Sequence, residues 1–448
     1  MDDKNKNIIK IATPAFLEQL SVAFAGIIDS QMVSALGVTA ISAVSVTNQP
    51  KLFLMCVFFA VNTVISALIA QNVGKKDRDG ANRVFLFGMF SVLLGTIIVS
   101  VICSLLARPI MIICCNQADI LEDSILYFRI VIEGLILNTG YITINAAFRG
   151  YGRTGITMVS NLISCLVNLL GDYLLITGHL GFPALGIRGA AIATNLGFLA
   201  ATVFCFVAVL SPRQYINLGY CIKNKLLFTR NTVAECIDMW KKVFAENILS
   251  RIAYLLASII SARAGSLALS VYSVGMNLMQ INFAIGTGLQ ASAVALVGSS
   301  YGASDEDGIR DYSNRIIKIG LVISVGCSLI FALFGGWYYG LFSDDDDDFI
   351  AMGCISCIII AVVCLFQTQQ LIHNSLLQCT GDAAVTMKIA FVTVTLLNVI
   401  TLYVAVILLH TGLWGIWTAV LLSQAVRCLL LVLKYRHKYY LRKETPSC

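Results

Sequence analysis

The chain has 448 residues, 58% of them hydrophobic and 12% charged, with a formal net charge of +6. An ordinary soluble domain carries roughly 25% charged residues, and a mean hydropathy of +0.83 excludes that class here. The apolar runs are continuous, which also excludes a spanning barrel, whose strands alternate apolar and polar over about 10 residues.

Runs near the ~20 residues that a helix needs to cross the hydrocarbon core predict twelve spanning helices, at 11–35, 47–72, 84–107, 124–147, 156–178, 187–210, 243–263, 270–298, 315–338, 351–375, 386–409 and 413–434. Lys4, Lys6 and Lys10 precede a first run too long for a signal peptide, so that helix stays as an anchor. It carries Pro14, Glu18 and Asp29, with Glu18 near its inner end. In span four Glu133 follows Arg129 by one turn, the spacing of an orienting ion pair. Span five holds Asn168 and Asp172 four residues apart, on one helical face. The polar stretch 211–242 opens with Ser211-Pro212, carries six basic residues and reads as a cytoplasmic surface helix linking two lobes, 1–210 and 243–448.

Lys and Arg crowd the loops that follow even-numbered spans, as with Lys75, Lys76, Arg78, Arg149, Arg153 and Arg310. The other side holds Lys51, Arg108, Arg188 and Arg263, with the acidic run Asp344 to Asp348. By the positive-inside rule both termini are cytoplasmic, in a multi-pass protein of the plasma membrane. Topology accounts for these charges, and without an aromatic stacking platform they do not suggest nucleic acid. The cysteines lie mostly within spans and imply no disulfide framework, and Cys354 and Cys357 form a lone CxxC without a second pair.

The chain repeats itself. A shift of 228 carries Gly37, Ala40, Ser42 and Ser45 onto Gly265, Ala268, Ser270 and Ser273, and Gly74, Asp77 and Gly80 onto Gly302, Asp305 and Gly308. A shift of 229 carries Gly152, Thr157 and Met158 onto Gly381, Thr386 and Met387. Six spans per copy make the repeats parallel, and transporters bind substrate near the interface of such repeats. The expected fold is therefore an all-α polytopic membrane protein, with two six-helix repeats around a central cavity.

Ionisable groups inside spans are rare unless they handle ions or substrate. Asp29 maps onto Ala257, Asp172 onto Thr401 and Asn168 onto Leu397, so ion chemistry belongs to the N lobe. At 1.5 Å per residue, Asp29, Asp172 and Thr194 each lie about 9–10 Å below the same membrane surface. Asn168 and Ala190 fall one turn from Asp172 and Thr194. Two carboxylates, an amide, a hydroxyl and a carbonyl could thus converge on a proton or on a sodium ion, since hard cations take oxygen ligands.

At these residues the chain resembles, from end to end, the multidrug and toxic compound extrusion (MATE) family of twelve-helix exporters. Pro14 with Asp29 fifteen residues later resembles its first helix, and Arg149-Gly150-Tyr151-Gly152-Arg153-Thr154 its fourth loop. Asn168 and Asp172 are similar to its fifth helix, and the run Gly186-Ile187-Arg188-Gly189-Ala190-Ala191-Ile192-Ala193-Thr194 to the opening of its sixth. The resemblance implies an N-lobe cation site of Asp29, Asn168, Asp172, the Ala190 carbonyl and Thr194, with Na+ held by Asp29, Asn168, Asp172 and Thr194 if sodium is the ion. It also implies a hinge at Pro14. Members with a C-lobe site carry acidic residues in helices seven and ten. Here helix ten offers Gln367, Gln369, Gln370 and His373, and Glu246 precedes the matching position, which points to the N-lobe, DinF-like branch.

Gln49, Tyr141, Met276, Asn277, Gln280, Gln367 and Gln370 are candidates to line the central cavity. The expected function is a monomeric secondary antiporter without cofactors, which exports amphipathic, cationic small molecules across the lipid bilayer in exchange for inward H+ or Na+. A lipid-linked glycan flippase is the alternative. It would place more basic residues in its cavity, where Arg251 stands almost alone. An enzyme is not expected, because His179, His373, His410 and His437 are scattered and build no catalytic constellation.

Overall fold

A computed structural model of the chain describes residues 3–115, 118–342 and 347–441. Its helices in chain order are α1 (Asp3–Ser34), α2 (Val38–Gly74), α3 (Arg78–Leu105), α4 (Ala107–Cys114), α5 (Ala118–Glu133), α6 (Leu135–Gly150), α7 (Thr154–Leu175), α8 (Ile187–Leu210) and α9 (Leu218–Lys223). There follow α10 (Arg230–Ser261), α11 (Ser266–Ser292), α12 (Gly298–Gly302), α13 (Glu306–Gly340), α14 (Asp347–Cys379), α15 (Ala383–Ala390), α16 (Asn398–Tyr403) and α17 (Gly412–Arg436). Wider π-helical turns join α11 to α12, α15 to α16, and follow α16 and α17. Among the described residues 11 helical stretches are long and apolar enough to cross a membrane. The expected span four is broken into α5 and α6, each of 16 residues.

That break has a local cause. Asn195 of α8 presses its carboxamide onto Gly134, where a Cβ would overlap it. Its Nδ2 donates to Ile130 O at 2.7 Å, the carbonyl that Gly134 N also reaches at 3.2 Å. A side chain inserted into the helical ladder kinks it.

The duplication is visible in backbone geometry. Gly37 and Gly265 open α2 and α11 at φ of 104° and 101°, where glycine is nearly strain-free. Lys76 and Ser304 adopt φ of 58° and 56° at equivalent turns. Just after them Asp77 and Asp305 cap α3 and α13, accepting from Gly80 N at 2.8 Å and Gly308 N at 2.9 Å. Gly152 and Gly381 match at 79° and 90°.

A further pair is buried. Glu18 accepts from Arg149 Nη1 (2.8 Å), Thr157 Oγ1 (2.6 Å) and Asn161 Nδ2 (3.0 Å), tying α1 to α6 and α7. It is 4% exposed, so these three donors take the place of water. Glu246, which is Glu18 shifted by 228, accepts from Arg427 Nη2 (3.0 Å), Gln378 Nε2 (3.1 Å) and Thr386 Oγ1 (2.9 Å). Thr157 and Thr386 are themselves repeat equivalents, whereas the two arginines come from different helices.

The chain divides into two compact units, Thr13–Trp240 and Lys241–Cys448 with Met1–Ala12. The first turns of α1 therefore go with the C-terminal unit, unlike the expected 1–210 lobe. Lys4 Nζ meets Asp311 Oδ2 at 2.6 Å, and Ser292 Oγ donates to Ile8 O at 3.0 Å. The expected linker 211–242 is not one helix. It holds the six-residue α9 and the start of α10, and its loop carbonyls are bonded into the N-terminal unit: Arg78 donates to Tyr215 O and Gln214 O at 3.1 Å each. Polar backbone needs donors wherever it packs, and Arg78 provides them.

In the N-terminal unit Met55, Phe58, Val92, Phe128 and Ile132 pack into one core. In the C-terminal unit Trp417 and Tyr339 anchor another, donating to Ser356 Oγ (3.0 Å) and Val271 O (2.8 Å). His373 is buried there, with Nδ1 donating to Gln369 O at 2.8 Å. Of the acidic run, Asp344–Asp346 lie outside the described residues, and Asp347 and Asp348 open α14, where the helix dipole favours negative charge.

Candidate functional site

A cavity of about 320 Å³ lies within the N-terminal unit. Its lining follows helical faces. Val22, Gly26, Asp29 and Val33 of α1 recur at steps of three and four, as do Asn161, Ser164 and Asn168 of α7. Asn48 and Lys51 come from α2, Tyr127 from α5, Tyr141 from α6, and Thr194 and Phe198 from α8.

At one wall Asp29 and Asp172 meet. Asn168 Nδ2 donates to Asp172 Oδ2 at 3.1 Å across one turn of α7. Asp172 is fully buried, and its Oδ1 has no hydrogen-bond donor among the described residues. The Asp29 carboxyl lies close enough to that of Asp172 for the two to interact directly. Two bare carboxylates in such contact repel strongly, so the pair calls for a proton or a cation between them. The nearby donor set is all oxygen: both carboxyls, Asn168 Oδ1 and Thr194 Oγ1. That chemistry suits a proton or a hard monovalent cation and not a soft metal. Among the described residues no cluster of three or more His, Cys, Asp or Glu could hold a metal ion.

The remaining expected residues fall into two groups. Thr194 Oγ1 donates to Ala190 O at 2.9 Å, so the carbonyl expected as a ligand already serves as an acceptor, while the hydroxyl keeps its lone pairs. Tyr141 lines this same cavity and stacks on Phe198 at 6.0 Å between ring centres. Gln49 is exposed, because a step of one residue along α2 is a turn of about 100° and the inward position belongs to Asn48. In the C-terminal unit Gln367 is buried and accepts from Asn282 Nδ2 at 2.7 Å, a bridge between α14 and α11. Gln370 is buried, Met276 packs against the core, and Asn277 and Gln280 are exposed. Pro14 sits inside an unbroken α1.

Two residues of the site escape a sequence reading. Tyr127 lines the cavity with Thr194 and lies near both carboxyls, yet one tyrosine in an apolar span carries no signal. Lys51, counted above among outer charges, instead lines the cavity from within α2 and lies in the field of Asp29. The expected span 47–72 begins only four residues before Lys51, whereas α2 begins at Val38, which carries the lysine several turns into the helix.

A family model described as MatE matches residues 14–174 and again 243–404, one match per repeat. The chain is 21% identical to the uncharacterized transporter YisQ of Bacillus subtilis, over 98% of this chain and 96% of that one. It is 24% identical to a probable multidrug resistance protein NorM of Rhizobium meliloti, over 94% and 91%. Among solved structures, an outward-facing multidrug resistance MATE family transporter of the MOP superfamily superposes with a TM-score of 0.90 at 17% identity, covering 99% of this chain and 97% of the other. A MOP superfamily transporter from Pyrococcus furiosus gives the same score, identity and coverage. The two matched segments span well over half of the sequence, and the chain belongs to the MatE family of multi-pass membrane transporters.

Proposed function

We propose that this protein is a secondary multidrug antiporter of the plasma membrane, with both termini cytoplasmic, which exports amphipathic organic cations by alternating access in exchange for inward H+ or Na+. The observation that carries the reading is the Asp29 and Asp172 carboxyl pair: Asp29 lines a cavity large enough for a small organic molecule, and Asp172 is fully buried beside it. Asp172 with Asn168, backed by Thr194, takes up the driving cation, and Asp29 shares it. The cation charge of the substrate and the driving ion then compete for one negative site, which supplies the differential affinity that exchange requires. Pro14 lets α1 bend as the site changes occupant, because proline removes one rung of the hydrogen-bond ladder. The acidic residues support an N-lobe site: Ala257 and Thr401 stand at the repeat positions of Asp29 and Asp172. The test is efflux from proteoliposomes with imposed pH and sodium gradients applied separately. Asp172→Asn abolishes gradient-driven export, and full retention of export by that variant refutes the coupling assignment.

A further inference from the structure

Lys51 has no part in that cation chemistry, yet it lines the same cavity as Asp29. It lies 13 residues beyond Val38, the first residue of α2, which is about 20 Å along the helix. A lysine within a span is costly unless it faces a cavity or a counter-charge. No ion pair or hydrogen bond engages its ammonium among the described residues; Asp29 acts on it across the cavity. The cavity thus presents a cationic group from α2 and a carboxyl from α1, with Val22, Tyr141 and Phe198 as apolar and aromatic walls.

We propose that Lys51 binds the anionic group of the transported molecule, so that the preferred substrate is a zwitterionic amphipath, with its carboxylate on Lys51 and its cationic end at Asp29. This deepens the export reading above and rests on it. When the driving cation neutralises the carboxyl pair, Lys51 is left as an uncompensated positive charge in a low-dielectric site. A purely cationic molecule aggravates that charge, whereas a zwitterion cancels it through its carboxylate and, once the driving cation has left, presents its cationic end to Asp29. The penalty for an unmatched charge is steep at low dielectric and shallow in water, so the cavity discriminates where solution does not.

The test is equilibrium binding, by fluorescence anisotropy, of two dyes to the full chain in nanodiscs: unsubstituted rhodamine, zwitterionic through its free carboxylate, and its cationic methyl ester. Wild type is expected to prefer the zwitterion by about tenfold or more, the scale of losing one partner of a partly buried charge pair. Lys51→Met weakens the zwitterion by at least that factor and leaves the ester unchanged or tighter, and Lys51→Arg keeps the wild-type preference. Ester binding by the Met variant reports its fold, and the wild-type ratio needs no variant. Equal binding of the two dyes by wild type, preference for the ester, binding of neither, or an unchanged ratio in Lys51→Met overturns the inference. Gradient-driven efflux of the same dyes separates the two readings: export with an unchanged ratio leaves exchange standing and removes Lys51, and a shifted ratio without gradient-driven export does the reverse.

Discussion

Replacing Arg427 by methionine leaves the Glu246 carboxylate buried without its countercharge. Glu246 and Arg427 have side-chain exposures of 6% and 10%, so water cannot readily take the place of the guanidinium. Stranding a buried charge costs about 3–5 kcal/mol. Gln378 and Thr386 still donate to the carboxylate at 3.1 and 2.9 Å, and bonds to a charged acceptor are worth about 1.5–3 kcal/mol each, which places the net loss near the lower end, about 3 kcal/mol. The arginine beside the repeat-related Glu18 supplies an internal comparison. Arg149 is 25% exposed beside Glu18, so solvent screening reduces the loss in Arg149→Met to about 2 kcal/mol. Thermal unfolding in detergent, followed by intrinsic fluorescence, should drop by roughly 6–12 °C for Arg427→Met and by less for Arg149→Met. Adding Glu246→Gln to Arg427→Met should recover at least about 1 kcal/mol, because the stranded charge is gone. A double variant less stable than Arg427→Met, or an Arg427→Met protein that melts with wild type, refutes the reasoning.

Other outcomes follow from single contacts. Gly134→Ala drives a Cβ into the Asn195 carboxamide and should cost about 1–3 kcal/mol; the same change in an Asn195→Ala background should cost clearly less, and equal costs in the two backgrounds exclude the clash. Asp77→Ala and Asp305→Ala each remove one helix cap and should lower stability by about 1 kcal/mol apiece, with the two losses adding in the double variant measured by denaturant or thermal melts. Thr194→Val keeps side-chain volume but takes one oxygen from the carboxyl site, and it should raise the half-saturating concentration of the driving cation about tenfold in proteoliposome efflux. Unchanged saturation removes Thr194 from that site.

Much of the architecture was legible because its signals are one-dimensional. Long apolar runs mark helices wherever they pack, and a constant offset of 228 or 229 marks duplication without any knowledge of contacts. Asp29, Asn168, Asp172 and Thr194 stood out for a related reason: polar groups inside such runs are costly, and equal depth on neighbouring spans is simple arithmetic. Other positions depend on rotation about a helix axis, which hydropathy leaves open. Gln49 and Asn48 are neighbours in sequence, yet only Asn48 faces the cavity. Gln367 accepts from Asn282 across two helices, a contact that no periodicity gives. Glu18 and Glu246 are related by the 228-residue offset, but that each gathers three donors is visible only in the tertiary structure.

By itself the amino-acid order determined the membrane class, the helical spans, the duplication, and the half that carries Asp29 and Asp172, since each depends on composition along the chain. Tertiary structure alone decided that Asn195 of α8 packs onto Gly134 where the fourth span breaks, that Lys51 lines the cavity from several turns inside α2, and that Tyr127 lines it with Thr194. In a bilayer the lipid-facing and inward-facing sides of a helix are both apolar, so hydropathy leaves rotation and fine depth open. Those are set by the side chains of neighbouring helices that are distant in sequence.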